Sequence, residues 1–226
     1  MKKLALALAA VMACGVVNAA DTLAKIKSAG KIVIGTRDSS APLAYTTGDG
    51  KYVGYHVDVC LKIADAIKAN LKAPTLPVEY TVVTSANRVP LVQNGTVDME
   101  CGSTTNSTAR QAQVSFAPTT FVTNVRTAVK ANSGITSIAQ LNGKTVATTT
   151  GTTSVQLLRK HEKGAGVDFK ELFGKDHADS FLLLESGRAD AFVMDDNILA
   201  GLIVNSKTPA EFKIVGESLS EEPIAI

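Results

Sequence analysis

Short apolar runs that alternate with helical patterns constrain this chain more than any other feature, because that alternation is the mark of α/β layering. Residues 31–36 (KIVIGT) read as a buried strand. Residues 55–71 place Val57, Leu61, Ala64, Ile67 and Leu71 on one face at a helical period, with Asp58, Lys62, Asp65 and Lys72 opposite. Residues 78–83 form the next strand. Ser85 is expected to cap a helix running to Gln93, Asn94-Gly95 stops it, and residues 96–101 form a third strand. The second half repeats the grammar. Residues 144–149 read as a strand, Gly151-Thr152-Thr153-Ser154 starts a helix through His161, and residues 176–186 form another helix ending at Gly187. Residues 189–194 are a strand, followed directly by Asp195-Asp196 and a helix through Asn205. Residues 121–130, rich in Val and Thr, suit one long extended segment crossing between two lobes, with a second crossing near residues 212–216.

In open α/β sheets ligands bind beyond the carboxyl ends of the strands, so the residues at strand exits carry the functional reading. Arg37 follows the first strand. Ser85 and Arg88 follow the second and share one face of a helix start. The third strand runs into DMECGSTTNSTARQ, residues 98–111: Ser103, Thr104 and Thr105 offer hydroxyls and N–H groups where a helix could begin, and Arg110 offers a planar, bidentate guanidinium. In the second half Thr152 and Thr153 follow one strand, His177 opens a helix, and Asp195 follows another strand. Each residue alone also reads as a solvated cap or surface side chain. Together they set three arginines and a histidine against one aspartate, which suits a ligand with two carboxylates and one ammonium. Arg110 and the GTTS helix start would clamp one carboxylate, Asp195 would pair the ammonium, and Arg37, Ser85, Arg88 and His177 would take the other carboxylate.

Composition narrows the alternatives. The formal net charge is +2 with both signs spread along 226 residues, and aromatics make up 5%, so neither a basic stripe nor a stacking surface for nucleic acid is present. No CxxC or histidine cluster points to a metal, and no cofactor motif occurs; GTTS lacks the lysine of a phosphate-binding loop. Lys2 and Lys3 precede an apolar run from Leu4 to Val17, and Val17-Asn18-Ala19 offers small residues for a signal peptidase. Residues 1–19 are therefore expected to be a signal peptide cleaved after Ala19, with an exported, periplasmic product. Acylation at Cys14 is the weaker alternative. Cys60 and Cys101 remain after cleavage; an oxidising compartment favours their pairing, and two buried free thiols are the other reading.

ECGSTTN followed by Arg110, together with GTTS, KDHADSF, ESGRAD and MDD, is similar to the periplasmic glutamate/aspartate-binding proteins of amino-acid ABC transporters, in bacterial solute-binding protein family 3. The similarity runs from about Ile26 to the C-terminus. The resemblance implies a periplasmic binding protein type 2 fold: lobe one from residues 20–120, with 217–226 as the start of its returning segment, and lobe two from 121–216. Hinge crossings would fall near 119–126 and 212–217, and the lobes would close on the ligand by hinge motion. It further implies that Arg110, with N–H groups near Thr105 and Thr153, clamps the α-carboxylate. Asp195 would bind the α-ammonium, assisted by Ser103 and Thr105, while Arg37, Ser85, Arg88 and His177 recognise a side-chain carboxylate. Glutamate and aspartate differ by one methylene, which changes pocket depth and not donor type, so both are expected ligands of a monomer that serves a membrane permease. Family chains continue past residues 221–226, and the expectation is that the C-terminal part of lobe one is missing here. The rival from another class is a periplasmic dehydratase of the same fold acting on a cyclic carboxylate. It needs a positioned acid, and Glu100 and Asp195 are the acids near the expected cleft. A Ser-His-Asp hydrolase lacks its GxSxG turn.

Overall fold

A computed structural model describes residues 21–226, and the expected signal peptide lies outside that range. Asp21 caps α1 (Thr22–Ala29) by accepting from the N–H groups of Leu23 and Ala24, and Gly30 ends the helix in the left-handed conformation. Strand β1 (Ile32–Thr36) is buried throughout. A short antiparallel meander follows, made of β2 (Ser39–Ser40), β3 (Ala44–Gly48) and β4 (Lys51–Val53). Helix α2 (Tyr55–Asn70) then lays Cys60 and Ala64 over Ile32 and Ile34, as its spacing predicts. Strands β5 (Val78–Val82) and β6 (Met99–Glu100) flank β1 in parallel, in the order β5-β1-β6.

Two helix starts in this half differ from expectation, each because the backbone has a better partner. Helix α3 (Arg88–Gln93) begins past Ser85, since Thr84 and Asn87 close the preceding turn on each other: the Thr84 N–H donates to Asn87 Oδ1 (2.7 Å) and the Asn87 N–H to Thr84 Oγ1 (3.3 Å). No helix begins at Ser103, Thr104 or Thr105, and α4 (Thr108–Gln111) is a single turn. The backbone of 104–106 instead makes strand-type bonds with the C-terminal segment. Thr105 bridges Ile224, the Ala225 N–H donates to the Thr104 carbonyl (3.1 Å), and the Asn106 N–H to the Pro223 carbonyl (2.7 Å). Groups committed this way are unavailable to the helical ladder.

The second half builds a five-stranded sheet. In chain order its elements are β7 (Phe121–Lys130), β8 (Thr145–Thr149), α5 (Thr153–Ala165), β9 (Lys170–Gly174), α6 (His177–Glu185), β10 (Ala191–Asp195), α7 (Asp196–Val204) and β11 (Phe212–Ile224). The spatial order is β11-β7-β10-β8-β9, parallel across β10, β8 and β9 and antiparallel where β7 joins β10 and β11. Along β10, Ala191 and Val193 enter one core with Val125, Val146 and Leu158, while Phe192 and Met194 enter the other with Phe181, Leu184 and Ile198. Helix α5 covers the first face; α6 and α7 cover the second. Burial on both faces is why β10 reads as a continuous apolar run. Strand β9 was not anticipated, because as a half-exposed edge strand it carries Lys170 and Glu171 and lacks such a run.

The long segment 121–130 is a single strand, and β11 pairs with it along most of its length. Residues 212–215 pair with 127–130, the register breaks, and residues 220–224 pair with 121–125. Beyond that point the chain lies against the first sheet's loops: the Thr120 N–H donates to the Ile224 carbonyl (2.9 Å) and the Ala117 N–H to that of Ile226 (2.7 Å).

Cys60 on α2 and Cys101 at the exit of β6 form a disulfide, with Cα atoms 6.3 Å apart. The pairing expectation holds, and the bond ties the core of the first sheet to the start of the 102–105 loop. The cysteines are 41 residues apart, and closing a loop of that length restricts the unfolded chain by up to about 4 kcal/mol. Replacing both cysteines by alanine is expected to destabilise the fold by ~2–4 kcal/mol in urea unfolding. An unchanged midpoint would show that the bond adds nothing.

Candidate functional site

The carboxyl ends of β1, β5 and β6 face those of β8 and β10 across a narrow cleft, and the residues just past them meet there. Arg88, Ser103 and Thr105 from the first half, with Thr152, Thr153, His177, Met194 and Asp195 from the second, line one small cavity. All but Thr153 are buried. Of the predicted site residues, the cleft therefore brings Arg88, Ser103, Thr105, Thr153, His177 and Asp195 to one cavity. Arg110 lies at its border. Arg37 and Ser85 are buried beside it without lining it.

The two halves touch closely around this space. Gly151 has a φ of +82°, and a Cβ there would lie 2.6 Å from the Cα of Ala86, so only glycine lets the turn into α5 press against the turn after β5. Arg110 spans the same junction: Nη1 donates to the Thr105 carbonyl (3.1 Å) and Nη2 to the Gly151 carbonyl (3.3 Å). Burial lowers the pKa of Arg110, with Glu100, Glu222 and Asp195 opposing it.

Arg88 is 3% exposed, and its Nε and Nη1 have no hydrogen-bond partner among the described residues. Burial lowers its pKa to about 9, against the pull of Glu100, so it remains a cation at neutral pH. His177, the first residue of α6, places Nδ1 3.0 Å from Thr149 Oγ1 and leaves Nε2 unpaired. Burial, reinforced by Arg37, holds its pKa well below the usual histidine value, so the ring is neutral and its unpaired Nε2 can carry a proton to donate. Orphaned donors at this depth are costly unless an acceptor arrives.

Arg37 is held differently from the other arginines. It is fully buried, and its Nη2 makes an ion pair with Asp176 Oδ1, while Ser39 Oγ donates to Asp176 Oδ2 (3.0 Å) and accepts from the Ala178 N–H (3.2 Å). Burial pushes the Asp176 carboxyl up, but Arg37 and His177 together outweigh it and keep the group below the ordinary aspartate value. Sequence reasoning passed over Asp176, although it lies inside KDHADSF immediately before His177. Met194 was missed as well, since a strand-end methionine beside an aspartate looks like core. Thr152 was seen at its strand exit but not placed in the site, and its position next to Thr153 at the helix start was the available signal.

Asp195 ends β10 opposite Arg88, 5% exposed. Burial raises its pKa to about 7, with Glu222 adding to the rise and Arg88 opposing it. A carboxyl raised above its unfolded value of about 3.8 stabilises this arrangement while protonated, and that contribution disappears as pH climbs toward 7. The melting temperature of the ligand-free wild type relative to Asp195→Asn is expected to fall between pH 4 and 7 and to level off above. A pH-independent difference would contradict the buried, unpaired state of this carboxyl.

The cleft thus gathers buried donors, Arg88 and His177 among them, and the buried Asp195 carboxyl around one small cavity. Residues 32–217 match the family model of bacterial extracellular solute-binding proteins, family 3. The chain is 46% identical over 90% of its length to the glutamate/aspartate import solute-binding protein of Escherichia coli K12, of which it covers 68%. It is likewise 46% identical over 89% of its length to the L-glutamate/L-aspartate-binding protein of Pseudomonas aeruginosa, of which it covers 67%. Among solved structures, the solute receptor for L-cysteine of Neisseria gonorrhoeae superposes with a TM-score of 0.77 at 28% identity, covering 90% of this chain and 78% of that one. The two-lobed architecture with its cleft between sheets is that of the periplasmic binding proteins, and the chain belongs to family 3 of the bacterial extracellular solute-binding proteins.

Proposed function

We propose that this protein captures an acidic amino acid, glutamate or aspartate, in the periplasm and delivers it to the permease of an ABC transporter. The observation that carries the reading is the buried Arg88 with two unpaired guanidinium nitrogens, lining one small cavity together with the buried carboxyl of Asp195. In this reading Arg110 and the N–H groups near Thr105 and Thr153 clamp the α-carboxylate. Asp195 takes the α-ammonium, with Ser103 and Thr105 beside it. Arg88, Ser85 and His177 meet the side-chain carboxylate, and Arg37 adds positive charge behind them. The names of the relatives from Escherichia coli and Pseudomonas aeruginosa agree with this ligand class.

Lobe one would comprise residues 20–120 with 217–226, and lobe two residues 121–216. Closure would turn about β7 and β11, whose paired register breaks after Val215, inside the second expected crossing. An open form binds ligand on lobe one, and lobe two then adds the GTTS turn, His177 and Asp195. The protein acts as a monomer without a cofactor, released after signal-peptide cleavage. It performs no chemistry on its ligand. The dehydratase alternative gains no support: Glu100 is engaged as acceptor of the Thr104 hydroxyl (2.6 Å) and does not line the cavity.

Titration calorimetry of the protein without residues 1–19 against the standard amino acids is the direct test, and absence of heat with both glutamate and aspartate would sink the reading. Arg110→Ala is expected to weaken all ligands by about a hundredfold or more, the cost of ~3 kcal/mol for a lost buried charge-assisted contact. Arg88→Ala should weaken glutamate and aspartate more than glutamine. Equal losses for all three ligands in both variants would overturn the division of roles between the two arginines.

A further inference from the structure

We infer that His56, which lies outside the ligand cavity, is a positioning residue that holds the loop 102–105 in its binding geometry. The inference rests on the reading that Ser103 and Thr105 contact the ligand. His56 stands in the first turn of α2 and is fully buried. Its Nδ1 lies 2.6 Å from the Gly102 carbonyl oxygen and its Nε2 2.8 Å from Thr120 Oγ1. A carbonyl can only accept, so Nδ1 carries the proton. The Nε2 of the neutral ring then accepts from the Thr120 hydroxyl. Burial lowers the pKa of this histidine against the opposing influence of the Gly102 carbonyl and Glu100, which favours the neutral ring that the wiring requires.

The consequence for the site follows from the planarity of the peptide unit. The plane that carries the Gly102 carbonyl also carries the Ser103 N–H, so a bond to the former fixes the direction of the latter. Glycine at 102 would otherwise leave that plane free to turn. The other end of the ring is anchored where the two halves of the molecule join. Thr120 immediately precedes β7, and its N–H donates to the carbonyl of Ile224 (2.9 Å), the residue that bridges Thr105, while its one hydroxyl proton goes to the closer His56 Nε2 (2.8 Å). His56 therefore links the first peptide of the binding loop to the strands that run between the sheets. The Cys60–Cys101 disulfide, on the same helix, fixes the residue just before that peptide.

Three substitutions separate this role from a general contribution to folding. Leucine at 56 removes both bonds; asparagine can place its Nδ2 where Nδ1 stood and donate to Gly102, and glutamine can place its Oε1 where the ring Nε2 stood and accept from Thr120. His56→Leu is expected to weaken glutamate binding about tenfold, the scale of a buried carbonyl left without its donor. His56→Asn should recover most of that loss, because it restores the bond to Gly102, and His56→Gln should not. Melting temperatures are measured on the same samples. Recovery by glutamine equal to that by asparagine, or melting temperatures that fall while affinities stay at the wild-type value, would overturn the inference. A wild type that binds no acidic amino acid would instead defeat the functional reading and this inference with it.

Discussion

Everything in the cleft depends on burying positive charge at the junction of two lobes. Two buried guanidinium groups, Arg37 and Arg88, and the half-buried Arg110 lie within reach of each other's fields, and each is handled differently. Arg37 has a carboxylate of its own in Asp176, and Arg110 has two carbonyls drawn from opposite sides of the junction. Arg88 has neither, and two of its nitrogens stay unpaired, as do two of Arg37's beside its one ion pair. A buried cation left without hydrogen-bond acceptors is strongly unfavourable, and an anionic ligand group is the economical remedy.

The framework keeps those charges in place through parallel strands and short turns. In parallel sheets every strand delivers its carboxyl end to the same edge, so residues far apart in sequence arrive side by side. Helix starts then add rigid N–H groups and side chains, as with His177 at the first position of α6. The loop 102–105 is the exception, since it is neither strand nor helix and still carries Ser103 and Thr105. It is fixed from outside by the disulfide at Cys101, by the bonds of 104–106 to 223–225, and by the imidazole of His56 on Gly102.

The βα alternation was legible in the chain because fully buried strands such as β1 and β10 are apolar on both faces, and because the apolar face of α2 repeats at helical spacing. Strand β9 was invisible for the opposite reason: at a sheet edge, with Lys170 and Glu171, nothing compels its residues to be apolar. Ser85 and residues 103–105 carried genuine helix-start signals, overridden by the Thr84–Asn87 turn and by long-range bonds to the C-terminal segment. Such bonds join positions more than 100 residues apart, and no local pattern records them. Most of the residues that line the cavity were visible as donors and charges at strand exits. Its internal pairing was not, because whether Arg37 faces a ligand or Asp176 depends on the closed juxtaposition of two lobes.

That pairing bears on selectivity. With Asp176 holding one nitrogen of Arg37, unpaired polar atoms remain on Arg37, Arg88, His177 and Ser85; the guanidinium groups and an imidazole protonated at Nε2 only donate, whereas the Ser85 hydroxyl can do either. A ligand carboxylate presents acceptors to all of them. A ligand amide of the same shape turns an NH₂ toward at least one donor and leaves that contact unmade in a buried setting, which is how hydrogen-bonding sites discriminate between near-isosteres. Asp195 can only accept once ionised, and an ammonium supplies the donors it lacks while drawing its pKa back down. Cationic and imidazole donors together with the Asp195 carboxyl in one cavity therefore define the ligand by polarity, and the separation of these groups rather than their chemistry is left to distinguish glutamate from aspartate.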